Sequence, residues 1–276
     1  MSLISNTLRK NNLKCALVPF ITAGFPNLST TINALYALDN NGADIIELGI
    51  PYSDALADGP IIQESSKIAL NQGIYIDDII NMLKLVTPSL NAPIIIFTYY
   101  NPVLAKGISN FIIDISSAGV SGLIIPDLPL EEADYVMKFC DKYNIELILF
   151  IAPTSSVNRI KRIISKSRGC IYLVSSYGVT GVRDQIDHKI NILAKEIKNQ
   201  TDKAIMLGFG ISNVEQAKYI SKWYVDGMVI GSAFMKIMLN NSSVDSIKLL
   251  GDFCNLIKSS INTTVPPGEF ESPLPP

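Results

Sequence analysis

The amino-acid sequence predicts an α/β protein, specifically a TIM (β/α)8 barrel with an extra N-terminal helix. Three observations support this prediction. Apolar runs rich in Ile, Leu and Val alternate with helical segments along most of the chain. Each run is almost continuously apolar, as expected for parallel strands that are covered on both faces. About eight such strand-and-helix units in roughly 250 residues match the usual size of this barrel.

The predicted strands are short and rich in apolar residues. They cover residues 17–22, 44–49, 93–99, 122–126, 146–151, 170–175, 204–209 and 227–230. The segments between them place apolar residues at helical spacing. Predicted helices include residues 28–41, 131–143, 157–166, 186–198 and 214–222, with a last helix near residues 244–260.

A doubly wound open sheet is the alternative architecture for this alternation. Such a sheet usually has a glycine-rich fingerprint after its first strand, which the loop Ala23-Gly24-Phe25-Pro26 does not match. We therefore predict a single TIM-barrel domain over residues 1–260 and a Pro-rich, disordered tail over residues 261–276. Residues 1–14 are basic but lack the apolar stretch of a signal peptide, so we interpret them as an amphipathic helix.

The composition limits the class of protein. Hydrophobic residues make up 48% of the 276 residues, which is enough for a large core and too much for a disordered chain. The formal net charge of −2 leaves no electrostatic footprint for nucleic acid or an anionic membrane. No apolar run approaches the ~20 residues of a membrane helix. The 4 cysteines lie far apart and indicate buried thiols, so we expect a soluble protein of a reducing compartment, the cytoplasm or plastid stroma.

In a TIM barrel, catalytic groups lie at the C-terminal ends of the strands and in the loops that follow them. Polar residues at these positions would therefore meet at one mouth of the barrel. They are Thr22, Glu47, Tyr99, Asn101, Asp127, Tyr172, Ser175 and Ser232.

The most informative segment runs from Glu47 to Pro60. An apolar strand ends in the carboxylate of Glu47, which is costly to bury unless it has a function. Two further acids, Asp54 and Asp58, follow in a loop of small residues. Glu47 could instead pair with a lysine of the next loop, and the two aspartates could simply favour a turn.

Glycine-rich loops after the predicted seventh and eighth strands form a second constellation. The first is Gly208-Phe-Gly210-Ile-Ser212 and the second is Gly231-Ser232. In TIM barrels a phosphate often binds between these two loops, because glycine lets backbone N–H groups approach the anion. Ordinary glycines in tight turns are the alternative interpretation.

A loop of small residues after the sixth strand is a candidate lid. It reads Ser175-Ser-Tyr-Gly178-Val-Thr180-Gly181, and a plain surface loop is the alternative. The only histidine, His188, follows this loop without a neighbouring acid pattern, and we assign it to the surface. A lone histidine argues against a Ser-His-Asp triad and against a histidine-based metal site.

The segment from Glu47 to Pro60 resembles the signature of the tryptophan synthase alpha subunit family. The resemblance extends over about residues 3 to 260. One departure is Ala55, where proline is usual, and another is Ser176-Tyr177 in the candidate lid.

The resemblance implies roles for individual residues. Glu47 and Asp58 would be catalytic, with Asp58 holding the indole N–H of the substrate, and Tyr172 would orient the substrate hydroxyl. The implied substrate-binding residues are Phe20, Tyr99, Thr180, Gly181, Gly210, Gly231 and Ser232. Within this set, Phe20 and Tyr99 would line the indole pocket, Thr180 would meet Asp58, and the glycines with Ser232 would hold the phosphate.

The resemblance also implies a reaction and a partner. The reaction is retro-aldol cleavage of indole-3-glycerol phosphate to indole and glyceraldehyde 3-phosphate, for which no cofactor and no metal is expected. The partner is a beta subunit that consumes the indole within an α2β2 complex, docked on loops 51–58 and 99–106. A stand-alone lyase and a catalytically weak activator of the beta subunit are the alternatives that the sequence leaves open.

Overall fold

The computed structural model describes residues 2–10, 14–175, 188–208 and 210–262. Eight parallel strands form a closed barrel in chain order, which confirms the predicted TIM-barrel fold. The strands are β1 (Ala16–Thr22), β2 (Ile46–Gly49), β3 (Ile94–Phe97), β4 (Gly122–Ile124), β5 (Glu146–Ile151), β6 (Cys170–Val174), β7 (Ala204–Gly208) and β8 (Gly227–Ile230).

Helices follow the strands and cover the outside of the barrel. They are α1 (Leu3–Leu8), α2 (Leu28–Asn40), α3 (Pro60–Asn71), α4 (Ile76–Val86), α5 (Tyr100–Lys106), α6 (Ile108–Ser117), α7 (Ala133–Lys142), α8 (Val157–Lys166), α9 (Lys189–Lys198), α10 (Val214–Ile220), α11 (Ser232–Asn240) and α12 (Ser243–Asn262), with a 3-10 turn at Thr87–Ser89. Among the described residues, no helix combines the length and apolar character needed to cross a bilayer.

Local sequence explains where typical helices begin and which face they bury. Helix α8 starts after Ser156, whose hydroxyl accepts a hydrogen bond from the backbone N–H of Arg159 and so caps the helix. Its buried residues are Ile160, Ile163 and Ile164, spaced to form one apolar stripe against the barrel. The predicted bounds of this helix, residues 157–166, are confirmed.

Helix α1 closes the N-terminal end of the barrel. It is shorter than the helix predicted over residues 1–14, since it begins after the capping residue Ser2 and ends at Leu8. Ile4 is fully buried, and a Cβ built on Gly122 inside the barrel would lie 3.2 Å from Ile4 Cγ1. Ser5 donates a 2.7 Å hydrogen bond to Glu146, a buried acid at the start of β5. These contacts hold α1 against the N-terminal end of the barrel interior.

Helix α12 ends two residues later than the boundary predicted between the barrel and its tail. It continues to Asn262, because Ile257 and Ile261, one turn apart, are both buried in the core. The rest of the predicted tail, residues 263–276, lies outside the described residues. All four cysteines are free and buried, as expected from their spacing.

Candidate active site

Glu47 is the second residue of β2 and is paired in register with Phe20 on β1 and Ile95 on β3. Its side chain is only 1% exposed. Gly49 shares the same face of the strand two residues further on. A Cβ on Gly49 would lie 2.5 Å from Phe20 Cζ, so the glycine makes room for an aromatic ring beside the acid.

Burial controls the acidity of Glu47. Desolvation, followed by repulsion from the Asp58 carboxylate, raises the pKa of Glu47 from its ordinary value of 4.5 to about 8. Its Oε2 atom is buried without a hydrogen-bond partner among the residues that the structure describes. A carboxyl group in this position holds its proton at neutral pH and has an oxygen available for a ligand. This is the state that a proton donor requires.

Asp58 is positioned by the loop before α3. The side chain is 5% exposed, and its Oδ2 accepts a 3.0 Å hydrogen bond from the Tyr99 hydroxyl. Gln63 on α3 fixes the loop by donating to the backbone carbonyls of Asp58 (2.9 Å) and Ala55 (3.2 Å). Burial raises the pKa of Asp58 to about 6, and the hydrogen bond from Tyr99 counteracts part of this rise. Asp58 is therefore ionised at neutral pH while Glu47 is protonated.

Tyr172 on β6 is buried within the electrostatic reach of both acids. Burial and then the charges of Glu47 and Asp58 raise the pKa of Tyr172 well above its ordinary value, so the hydroxyl stays protonated. The ring packs on Phe150, with 4.7 Å between the ring centroids. A Cβ on Gly208 would lie 2.0 Å from the Tyr172 hydroxyl. Only glycine at position 208 leaves the tyrosine in this place.

Aromatic rings form an apolar wall next to the acids. Phe20 contacts Phe97 edge-on at 5.8 Å between centroids, and Phe97 contacts Tyr99 in the same manner at 6.0 Å. The predicted pocket residues Phe20 and Tyr99 thus belong to one aromatic cluster. Such a surface suits a flat, apolar ring system.

Phe150 is a pocket residue that the sequence did not single out. It is partly exposed and contacts Tyr172, whereas its neighbour Ile151 is fully buried. Glu146, Ile148 and Phe150 share the inward face of β5. Ile148 Cδ1 would lie 3.6 Å from a Cβ on Gly122 of the neighbouring strand, which fixes that orientation. The period of two along β5, started from Glu146, is the signal that could have identified Phe150.

The glycine loops after β7 and β8 lie side by side. Gly208 pairs with Val229, so Gly210 and Gly231 each lie two residues beyond a paired position. Gly210 has a φ of +88°, which favours glycine, and Gly231 precedes the first residue of α11, Ser232. Backbone N–H groups at the start of this nine-residue helix can donate hydrogen bonds to an anion.

Other polar residues at strand ends have structural contacts. The Thr22 hydroxyl lies 2.7 Å from the Ser65 hydroxyl, and Asp127 accepts a 2.8 Å hydrogen bond from the backbone N–H of Tyr100. Asp54 is exposed and accepts a 2.8 Å hydrogen bond from the Ser53 hydroxyl, which agrees with the alternative of turn chemistry for this acid. His188 is exposed, as predicted, and it lies just before α9, whereas the predicted helix 186–198 included it.

The structure does not test every predicted site residue. Thr180 and Gly181 fall in residues 176–187, which lie outside the described residues, together with most of the candidate lid. Over the described residues, no group of three or more His, Cys, Asp and Glu side chains is arranged to hold a metal ion.

A closed parallel barrel with two acids buried at its mouth places the protein in the class of TIM-barrel enzymes. A family model described as tryptophan synthase alpha chain matches residues 6–256. The chain belongs to this family, the tryptophan synthase alpha chains. The relative from Gracilaria tenuistipitata var. liui is 60% identical over 95% of this chain and 98% of its own. The one from Trichormus variabilis is 49% identical over 92% and 96%.

Solved structures give the same result. Mycobacterium tuberculosis tryptophan synthase is 30% identical and superposes with a TM-score of 0.86, covering 95% of this chain and 97% of that one. A chain of the tryptophan synthase α2β2 complex from Pyrococcus furiosus is 34% identical with a TM-score of 0.82, covering 88% and 98%.

Proposed function

We propose that the protein is the alpha subunit of tryptophan synthase, a carbon–carbon lyase of tryptophan biosynthesis. Its substrate is indole-3-glycerol phosphate, which it cleaves by a retro-aldol reaction to indole and glyceraldehyde 3-phosphate. The observation that carries this proposal is the buried Glu47, protonated near neutral pH and next to the ionised Asp58. Two acids with pKa values pushed apart divide the roles of proton donor and charge stabiliser.

Glu47 is assigned both proton transfers. Its carboxyl group donates a proton to C3 of the indole, which gives a cationic indolenine. The bond between C3 and the side chain then breaks, and its electron pair returns to the indole ring. The Glu47 carboxylate takes the proton of the side-chain hydroxyl as that carbon becomes an aldehyde, which restores the protonated acid. Positioned acid–base catalysis of this kind contributes about 10²–10⁴-fold.

Asp58 and Tyr172 support these transfers. The ionised Asp58 accepts a hydrogen bond from the indole N–H and stabilises the positive charge that develops on the ring. The Tyr172 hydroxyl, protonated because of its burial, donates a hydrogen bond that orients the substrate hydroxyl near Glu47. Phe20, Tyr99 and Phe150 supply the apolar walls that hold the indole.

We assign the phosphate of the substrate to the loops after β7 and β8. Backbone N–H groups of Gly210, Gly231 and Ser232 are the proposed donors, with Gly181 contributed by the candidate lid, whose Thr180 would meet Asp58. Two observations support this assignment: Gly210 has a positive φ, and Ser232 is the first residue of α11. An anion held here leaves the indole end of the substrate next to the acids.

Replacing Gly210 with valine should raise KM for indole-3-glycerol phosphate. A β-branched residue strongly disfavours a φ of +88°, so the loop would change shape and its N–H groups would leave the anion. Steady-state kinetics with the substrate and with its dephosphorylated analogue would measure the effect. An equal change for both compounds, or none for either, would contradict a phosphate role for this loop.

The proposed partner is a beta subunit that receives the indole within an α2β2 heterotetramer. Loop 51–58 presents Leu56 with 82% of its surface exposed, and α5 presents Leu104 with 49% exposed. Both belong to segments next to the mouth of the barrel, where Asp58 and Tyr99 also lie. A beta subunit on this face would take up indole directly, and docking would order the loop that carries Asp58. No role with nucleic acid or membranes is proposed.

The lyase assay, performed with the chain alone and with a cognate beta subunit, tests the proposed function. Cleavage should be measurable alone and should rise by roughly 5–150-fold in the complex, which is typical of coupling between sites. Leu56→Asp should remove this rise, whereas Leu85→Asp, a control on the exposed face of α4, should not. Cleavage without any complex would favour a stand-alone lyase. No cleavage in either assay, with activation of the beta subunit, would favour the weak activator.

The pH dependence of kcat/KM should be bell-shaped, with limbs near pH 6 and pH 8. Activity requires Asp58 ionised, with a pKa of about 6, and Glu47 protonated, with a pKa of about 8. Activity therefore falls below the first value, where Asp58 gains a proton, and above the second, where Glu47 loses one. Rates measured from pH 5 to 10 in buffers of constant ionic strength would show both limbs. A plateau extending to pH 10 would contradict the role of Glu47.

We also propose a location in the cytoplasm or the plastid stroma. Four free, buried thiols and no arrangement for disulfides among the described residues support a reducing compartment. Fluorescence microscopy of the tagged chain in its native cell would test this, and accumulation outside the cell would contradict it.

A further inference from the structure

We infer that Tyr52 is a positioning residue that holds Asp58 in its working place by acting through Tyr99. This inference rests on the proposed function, because it concerns the same site. Tyr52 belongs to loop 51–58, and its ring lies against the ring of Tyr99 at 5.2 Å between centroids and an interplanar angle of 31°. It does not touch the acids directly in any described hydrogen bond or ring contact.

Tyr99 joins the loop to the acid through both functions of its hydroxyl. The hydroxyl donates to Asp58 Oδ2 at 3.0 Å and accepts from the backbone N–H of Ala57 at 3.0 Å. One phenol group therefore contacts both the backbone of the loop and the carboxylate, in addition to the hydrogen bonds that Gln63 donates to the loop. Any movement of this ring changes the hydrogen bond to Asp58 and the anchoring of its loop together.

The ring of Tyr99 is held from two sides. Phe97 meets it edge-on within the barrel, and Tyr52 covers it on the side of the solvent. Tyr52 is partly exposed, and its hydroxyl accepts a 3.2 Å hydrogen bond from Asn101 Nδ2 at the start of α5. Through this bond the outer cover of Tyr99 is tied to a second element at the barrel mouth. A tyrosine that served only to fill space would not need the hydrogen bond from Asn101.

The consequence for Asp58 is electrostatic as well as steric. The hydrogen bond from Tyr99 lowers the pKa of Asp58 against the effect of burial. The other titratable groups that interact with this pair are Glu47 and Tyr172, through the charge of Asp58, and Asp127, through Tyr99. None of these contacts Tyr52 in the described structure, so a change at Tyr52 reaches Asp58 by way of Tyr99.

Kinetics of six variants across pH test the inference. Tyr52→Leu removes the ring and should lower kcat on the order of tenfold, and Tyr99→Phe should lower it at least as much. In both variants the acid limb of the pH profile should move upward by about half to one pH unit, because Asp58 loses a hydrogen bond to its charged form. The double variant should behave like Tyr99→Phe alone, since the two residues act in series.

The remaining variants separate this effect from loss of folding. Tyr219→Phe, at an exposed tyrosine on α10, should leave both kcat and the limb unchanged. Tyr52→Phe and Asn101→Ala remove the same hydrogen bond from its two ends, and each should move the acid limb upward by a similar, smaller amount even if Tyr52→Leu folds poorly.

Two results would overturn the inference. The first is an acid limb that stays in place in Tyr52→Leu or, if that variant does not fold, in both Tyr52→Phe and Asn101→Ala. The second is an additive double variant. Failure of the proposed function would look different, because the wild-type chain itself would not cleave indole-3-glycerol phosphate.

Discussion

Glu47→Gln should reduce the rate of cleavage of indole-3-glycerol phosphate by about 10²–10⁴-fold, with substrate affinity nearly unchanged. The amide has the shape of the carboxyl group, so the pocket keeps its form. It cannot deliver a proton to the indole ring and take another from the hydroxyl. Single-turnover kinetics, together with a direct binding measurement, would separate the chemical step from substrate binding.

Glu146→Gln is the matched control. Glu146 is also a buried glutamate on a barrel strand, but it lies at the opposite end, where Ser5 of α1 donates to it. This control should cost stability and leave kcat close to that of the wild type. A Glu47→Gln enzyme within a few-fold of wild type would remove Glu47 from the mechanism.

The free energy of unfolding of Glu47→Gln provides a second, independent test. The folded protein raises the pKa of Glu47 from its ordinary value of 4.5 to about 8. The favourable contribution of the protonated acid is complete below the ordinary value and is lost as the pH rises through the folded value. Glu47→Gln should therefore become more stable relative to the wild type between pH 5 and pH 9, by on the order of a few kcal/mol. Thermal unfolding at the two pH values would measure this, and an unchanged difference in Tm would show that Glu47 is not desolvated.

Much of the barrel could be predicted from the sequence because its strands are apolar on both faces. This composition separates the strands clearly from the amphipathic helices, and the predicted ends lie close to those observed. The predicted and observed ends differ where tertiary contacts determine the end of a strand or helix. Strand β3 ends at Phe97 and not at residue 99, because Tyr99 already caps α5. Helix α12 extends to Asn262 because Ile261 finds a place in the core.

Because the strands are apolar on both faces, part of the site could not be predicted. In a strand that is apolar throughout, the sequence does not distinguish the face towards the barrel interior from the face towards the helices. Phe150 and Ile151 point to opposite faces of β5, and the sequence separates them only once Glu146 is taken to face the interior; the structure places Phe150 beside Tyr172. Glu47 was identifiable because an acid at the end of an apolar strand is rare and expensive, whereas the role of Asp58 was implied by the family resemblance.

Gly208 has a structural role that its glycine-rich motif does not indicate. The sequence places it in a glycine-rich loop suited to phosphate, together with Gly210. The structure instead makes Gly208 the last residue of β7, facing the hydroxyl of Tyr172 on the neighbouring strand. This contact joins two strands that lie next to each other in the barrel, with Tyr172 paired to Met206, and no local pattern reports it.

Gly208→Ala should consequently damage catalysis through Tyr172. The added Cβ would lie 2.0 Å from the Tyr172 hydroxyl and 2.3 Å from both Cζ and Cε1, so the whole ring must move. The ring is buried and packs against Phe150. A displacement of about 1 Å in a positioning group can lower a rate by about 10²-fold, and we expect kcat to fall on that order. Overpacking should also cost about 1–3 kcal/mol of stability.

Gly73→Ala provides the control that separates the two effects. Gly73 has a φ of +76° and no atom within 4 Å of the position of its Cβ, so alanine there strains the backbone without touching the site. It should lower Tm and leave kcat unchanged, whereas Gly208→Ala should lower both. Steady-state kinetics and thermal unfolding of the two variants, measured side by side, give the comparison. If Gly208→Ala lost stability as Gly73→Ala does but kept its kcat, the position of the Tyr172 hydroxyl would not matter for the reaction, and the orienting role would have to be assigned to another group near Glu47.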